Sequence, residues 1–82
     1  MILVEVCYRV LNRTYDFRVD ETVPIGELVS QMVRSISQSE RIPLAEDYGL
    51  FMLGDQSKRE IFHPSSTLAE NGVRSGATLF LL

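Results

Sequence analysis

Cys7, His63 and Lys58 are each the only residue of their kind in a chain of 82, and a catalytic reading would begin from them. A nucleophilic thiol needs a base or positive surroundings to hold it as thiolate. Cys7 stands in the alternating stretch Ile2-Leu3-Val4-Glu5-Val6-Cys7-Tyr8, while His63 lies far along the chain beside Pro64. A metal centre needs several nitrogen, sulfur or oxygen ligands at set spacing, and His63 has no second His or Cys near it. The acidic pairs Asp20-Glu21 and Glu46-Asp47 fall in turn-like segments, where solvated carboxylates are expected. Gly26, Gly49, Gly54, Gly72 and Gly76 are scattered as turn and cap residues, not gathered into a phosphate-cradling loop. These residues read as a small strand residue, a strand exit and solvated turns. The expectation is no enzyme, no metal and no cofactor.

The composition agrees with a small binding domain. A chain this short buries about 60–65% of its unfolded surface, enough for one core and no deep interlobe cleft. Hydrophobic residues make up 45% and charged residues 23%, which is ordinary for a folded globule. Eleven acids against eight bases give a net charge of −3, which disfavours nucleic acid as a partner. One cysteine excludes an intrachain disulfide. The opening Met-Ile-Leu-Val-Glu-Val lacks the basic start of a signal peptide, and no apolar run reaches the ~20 residues of a membrane span. The expected location is the cytoplasm, at most peripheral to the membrane through a protein partner.

The elements follow from periodicity. Residues 2–10 alternate at period two, as do Tyr15, Phe17 and Val19, and Asn12-Arg13 lies between the two runs as a turn. Pairing Val10 with Tyr15 puts Tyr8 opposite Phe17 and Val6 opposite Val19, so one register satisfies both strands. The period then changes: Ile25, Leu28, Val29, Met32, Val33 and Ile36 form the apolar stripe of a helix, with Thr22 as its cap and Pro24 in its first turn. Gly26 has no evident reason. Residues Ser37 to Asp47 read as a polar loop, with Ile42-Pro43-Leu44 plugging one end of the core. A third strand covers Tyr48 to Leu53, ended by Gly54-Asp55-Gln56-Ser57, and a short fourth lies around Glu60-Ile61-Phe62. Thr67 and Glu70 stand at capping-box spacing for a short helical turn. Gly72 and Gly76 mark turns of positive φ, and Ala77 to Leu82 is the last strand. One domain spans 1–82. Its α+β layout, with a mixed sheet of order 2-1-5-3-4 under one helix, is the β-grasp.

At this point the residues themselves resemble ubiquitin. Thr22-Val23, Ile42-Pro43, Leu50-Phe51-Met52-Leu53-Gly54, Thr67-Leu68, Gly72-Val73 and Ala77-Thr78-Leu79-Phe80-Leu81 match its pattern in order and approximate spacing. Within that superfamily, Val23-Pro24-Ile25 and the run from Leu68 to Gly76 are most similar to the YukD/EsaB-like proteins of bacterial type VII secretion and the related EccD cytosolic domains. Ubiquitin continues past its last strand into a Gly-Gly tail that is conjugated. Here Leu82 ends the strand itself, so the resemblance implies a module that is not conjugated. It implies an accessory or regulatory component of the secretion system that docks on a cytosolic domain of the membrane machine. A modifier of a bacterial ubiquitin-like conjugation pathway, with an atypical C-terminus, is the alternative.

The expected interaction face is the side of the sheet away from the helix. With Leu79 and Leu81 inward, Phe80 and Leu82 point out. With Leu50 and Met52 inward, Phe51 and Leu53 point out. Cys7, Phe51, Leu53, Phe80 and Leu82 would then cluster on neighbouring strands, softened by Arg9 and Arg74, with no core role left for the two phenylalanines. Contiguous apolar surface of this kind marks a partner site, covered by a protein partner or by a second copy of the chain.

Overall fold

A computed structural model describes residues 1–43 and 51–82 of the chain. Its elements are β1 (Ile2–Tyr8), β2 (Arg13–Val19), α1 (Ile25–Glu40), β3 (Leu53–Asp55), β4 (Glu60–Ile61) and β5 (Ala77–Leu81). The sheet order is β2-β1-β5-β3-β4. The β1–β5 pair is parallel and the other pairs are antiparallel. This is the expected β-grasp. The parts of strand 3 and of the preceding loop assigned to residues 44–50, including Leu44, Glu46, Asp47, Tyr48, Gly49 and Leu50, lie outside the described residues.

In the first hairpin Val6 pairs with Tyr15, Val4 with Phe17 and Ile2 with Val19. The expected register is therefore displaced. Tyr8 pairs with Arg13, and residues 9–12 form a longer turn in which Asn12 takes φ 51° and donates its N–H to the Arg9 carbonyl at 3.2 Å. A two-residue turn over Asn12-Arg13 would force positive φ on an arginine, whereas asparagine tolerates that conformation alone. The displacement is even, so the paired side chains keep their expected faces. Val10 leaves the sheet and is 72% exposed.

The helix buries the six stripe residues, from Ile25 to Ile36. Thr22 does not cap it. Its N–H and hydroxyl both go to Asp20 Oδ1, at 2.9 and 2.6 Å, and Pro24 stands at the N-cap. The first free N–H groups of a helix need partners. Here they come from the stretch after β4: Ile25 donates to the Ser66 carbonyl at 2.8 Å and Gly26 to the Pro64 carbonyl at 2.9 Å. A Cβ on Gly26 would meet the Pro64 oxygen at 3.4 Å, an ordinary contact, so nothing in the structure explains this glycine.

At its other end the helix runs four residues beyond the stripe, through a segment expected to be loop. Two anchors hold it there. Arg41 adopts a left-handed cap with its N–H on the Ser37 carbonyl. Glu40 accepts a 2.7 Å bond from the Tyr15 hydroxyl and pairs with Arg13 at 3.0 Å. Ile42 and Pro43 are exposed and do not plug the core. Burial, then the bond to Glu40 and that carboxylate's charge, push the Tyr15 hydroxyl up to about 12.

Thr67 and Glu70 form the reciprocal pair of a capping box. The Glu70 N–H donates to Thr67 Oγ1 at 3.1 Å, and the Thr67 N–H donates to Glu70 Oε1 at 3.0 Å. The box closes a turn here, not a helix. Gly72 and Gly76 take φ 71° and 94°, the backbone their positions call for. Leu79 and Leu81 have no solvent exposure and lie under the helix with Val4, Val6 and Tyr8.

Two tests follow from this packing. Leu79→Ala should cost about 2–5 kcal/mol, as buried large-to-small changes do, read from urea denaturation. Tyr15 should ionise near pH 12 in an absorbance titration, and Tyr15→Phe should remove that step. Because the folded value lies above the unfolded 10.0, the stability this hydroxyl contributes is complete below pH 10 and lost as the pH rises through about 12. A Tyr15→Phe variant whose stability falls with alkali as the parent's does would contradict the assignment.

Candidate functional site

The sheet face away from the helix is built in rows, because residues directly opposed across strands share a face. One row runs Thr14, Cys7, Phe80, Gly54, Ile61. The next contains Arg9, Leu82 and Met52. Arg9 donates its backbone N–H to the Leu81 carbonyl, and Leu82 and Met52 exchange backbone bonds of 2.9 and 3.4 Å. On the other side, Asp16, Glu5 and Thr78 align.

Of the five residues expected here, three lie on this face. Leu82 does so and is 43% exposed. Cys7 does so and is half-buried between Thr14 and Phe80. Phe80 also points this way, but it is only 7% exposed, against the expectation of an open aromatic. Its ring lies across Gly54, where a Cβ would fall 2.3 Å from Phe80 Cζ, and the Arg9 guanidinium sits 4.5 Å from the ring centroid. A missing side chain on one strand and a cation on another bury it without the helix.

Leu53 and Phe51 lie on the opposite face. Leu53 is paired with Leu81, and since Leu81 points inward, Leu53 must too. It is 1% exposed. Phe51 packs against the core, its ring centroid 6.2 Å from that of Tyr8. Strand 3 therefore has the opposite phase from the one expected, and Met52 is outward and 48% exposed. Met52 and Ile61, the latter 54% exposed, are the face residues that the sequence did not reveal. The run Phe51-Met52-Leu53 is apolar at every position and carries no alternation to set its phase. For Ile61 a signal existed: Ile61 and Phe62 are adjacent in an edge strand, so one of them must face out.

The turn beside this face is held by Asp55, a buried carboxylate. Its Oδ1 accepts the Ser57 hydroxyl at 2.8 Å, the Ser57 N–H at 3.0 Å and the Lys58 N–H at 3.3 Å. This holds the backbone of residues 55–58, after which Arg59 takes φ 55°. Burial alone would raise the Asp55 pKa. The Ser57 hydroxyl, the two N–H groups and the Lys58 charge outweigh it and hold the carboxyl below its usual value.

The other candidates stand apart from this face. The Ser65 N–H donates to His63 Nδ1 at 3.2 Å, with the Ser65 hydroxyl 2.7 Å from the same nitrogen. Among the described residues no group of three His, Cys, Asp or Glu is placed to hold a metal ion, and no helix is long and apolar enough to cross a membrane.

Two changes probe this construction. Gly54→Ala should destabilise by about 1–3 kcal/mol, the usual cost of overpacking, because the new methyl would also lie 2.5 Å from the Glu60 backbone oxygen. An unchanged urea midpoint would refute the packing of Phe80 on Gly54. For Asp55, the folded pKa lies below the unfolded one, so its contribution is complete above about pH 4 and lost as the pH falls through the folded value. Asp55→Asn should be less stable at neutral pH and should lose less on acidification, measured as urea midpoints between neutral and acid pH.

Comparison with known proteins places this geometry. A family model described as "WXG100 protein secretion system (Wss), protein YukD" matches residues 2–81. No curated protein matches the chain in sequence. Among solved structures, the chain is similar to a computationally designed protein based on the template of human erythrocytic ubiquitin, at TM-score 0.74 and 22% identity, covering 100% of this chain and 90% of that one. It is similar to the ubiquitin-like domain of the Mycobacterium tuberculosis type VII secretion system protein ECCD1, at TM-score 0.73 and 19% identity, covering 99% and 96%. AtBAG1, solved in complex with HSP70, matches at TM-score 0.70 and 16% identity, covering 100% of this chain and 40% of that one. At these identities the structural likenesses speak for the fold.

Proposed function

The chain belongs to the YukD family of the WXG100 protein secretion system, and on that premise we propose that it is a non-enzymatic docking subunit, working by non-covalent binding of its outer sheet face to a cytosolic domain of the secretion machine's membrane component. The carrying observation is the adjacency of Ile61, Met52 and Leu82 on strands β4, β3 and β5, or directly beside them. All three are large, apolar and about half exposed. Single apolar residues on a surface are ordinary, but neighbours on one face make a partner site.

Phe80 lies beside this patch, largely buried between Gly54 and Arg9. Burying apolar side chains against a partner stabilises the complex by about 25 cal/mol per Å² of area, before the cost of association. The ubiquitin-like domain of ECCD1, which has the same fold, belongs to a protein of the type VII secretion system, and that supports a role of this fold within such a system.

The experiment compares a double variant with a single one. Met52→Ser with Ile61→Ser should leave thermal unfolding close to that of the parent, because neither side chain is in the core. It should weaken binding to the cytosolic domain of the cognate membrane component at least about tenfold, or 1.4 kcal/mol, in titration calorimetry. Leu3→Ser, on the same face but at the far end of β1, should leave binding unchanged. Unaltered affinity in the folded Met52/Ile61 variant would refute the proposed face. Phe51→Ser and Phe80→Ser are unsuitable probes, since both side chains support packing.

A further inference from the structure

Arg9 and Arg59 border a groove of about 520 Å³ on the outer face, lined also by Gln56, Ile61, Phe80 and Leu82. Among the described residues neither guanidinium is paired with a carboxylate; the ion pairs there are Met1–Glu21 and Arg13–Glu40. The chain as a whole carries −3, so two unpaired arginines at one groove are a local feature, not an overflow of bulk charge. Arg9 is held by its backbone bond to Leu81 and by stacking on Phe80, while Arg59 is exposed and follows the turn that Asp55 organises. Guanidinium groups suit carboxylates, which they can grip with two bonds at once.

The acids of the same face lie elsewhere. Glu5 and Asp16 oppose each other on β1 and β2, in the row beyond Phe80. The two acids disfavour an anionic ligand in their own row, with Arg18 beyond them opposite Leu3, whereas Arg9 and Arg59 favour one at the groove. Between the two arginines the surface mixes Gln56 with the exposed aliphatic side chains of Ile61 and Leu82 and the edge of the largely buried Phe80. Such a surface is not the dense basic one that holds a sugar-phosphate backbone. It does accept an aliphatic side chain.

We infer that the occupant of this groove is an acidic segment of a protein partner, in which an aliphatic residue seats on Ile61 and Leu82 while flanking carboxylates pair with Arg9 and Arg59. This rests on the docking reading above and adds the chemistry of the partner. The acidic groups set the approach and the salt dependence, and the aliphatic residue supplies buried area.

The probes are three capped pentapeptides, alternating leucine with glutamate, with lysine or with serine, titrated into the full chain and followed by NMR. The leucine–glutamate peptide should shift the Ile61 methyl and the Arg9 and Arg59 Nε–H signals. It should bind about tenfold more tightly than the lysine peptide, and high salt should remove most of that difference. Arg9→Gln with Arg59→Gln should reduce its affinity about tenfold, whereas Arg18→Gln, near Leu3 on the same face, should not. Chemical shifts of the free variants establish that each remains folded. Equal binding of the lysine peptide, shifts confined to other residues, no binding by any peptide, or tighter binding of a short oligonucleotide at the same groove would each overturn the inference.

The two readings fail separately. If the cytosolic domain needs Met52 and Ile61 but is indifferent to salt and to both arginines, the docking face stands and the acidic occupant is wrong. If the acidic peptide fills the groove while the cytosolic domain ignores Met52 and Ile61, the docking reading fails and the groove's preference stands.

Discussion

The parallel pairing of the first and last strands is the constraint on which the rest of the molecule depends. Val4 to Tyr8 lie beside Ala77 to Leu81 at the centre of the sheet, so the two local strand pairs join into one sheet only when these distant segments meet. That contact closes almost the whole sequence into one loop, and its entropic cost is offset only by burying side chains on both strands. Val6 and Leu79, neighbours in this pair, are completely inaccessible. The pairing also fixes what lies further out. Once Leu81 faces the helix, its partner Leu53 must do so as well, and the alternation of β3 then sends Met52 to the other side.

The helix depends on the same closure. Its first donors are satisfied by carbonyls of Pro64 and Ser66, and the Glu21 carbonyl accepts the Ala69 N–H at 3.0 Å. The segment leading to β5 therefore caps the helix that β5 packs under. At the other end, the Tyr15–Glu40–Arg13 cluster joins helix and edge strand. Its charged members are partly solvent-screened, so its role is to hold position more than to add net stability.

The outer face shows how a small domain can carry apolar residues without a second layer. Phe80 is covered by a glycine on one side and an arginine on the other, a contact worth about 0.5–1 kcal/mol at an exposed site. With that ring settled, the face presents Ile61, Met52 and Leu82 at one end, the opposed acids Glu5 and Asp16 on the other side of the ring, and Leu3 with Arg18 beyond them. The polarity follows from strand order and register. No stretch of the sequence holds both poles.

Read alone, the sequence determined the helical stripe, the capping-box pair and the two positive-φ glycines, because each depends on periodicity or on local backbone chemistry; the strand order followed from the succession of elements, a hairpin, one helix and returning strands. It also determined that Leu79 and Leu81 face in and that Phe80 and Leu82 face out, since Ala77 to Leu82 begins with residues polar or small enough to show a phase. The hairpin register was legible only up to an even displacement, because period-two patterning does not distinguish one such register from the next. The helix end at Glu40 was not legible, since Tyr15 and Arg13, which hold it, are distant in sequence. The phase of strand 3 was decided by tertiary structure alone. Phe51, Met52 and Leu53 are all apolar, and only the pairing of Leu53 with Leu81 tells which of them face the core. The burial of Phe80 had the same kind of cause: a glycine two strands from Arg9 is unremarkable in the sequence, and its meaning appears only when the sheet brings both against one ring.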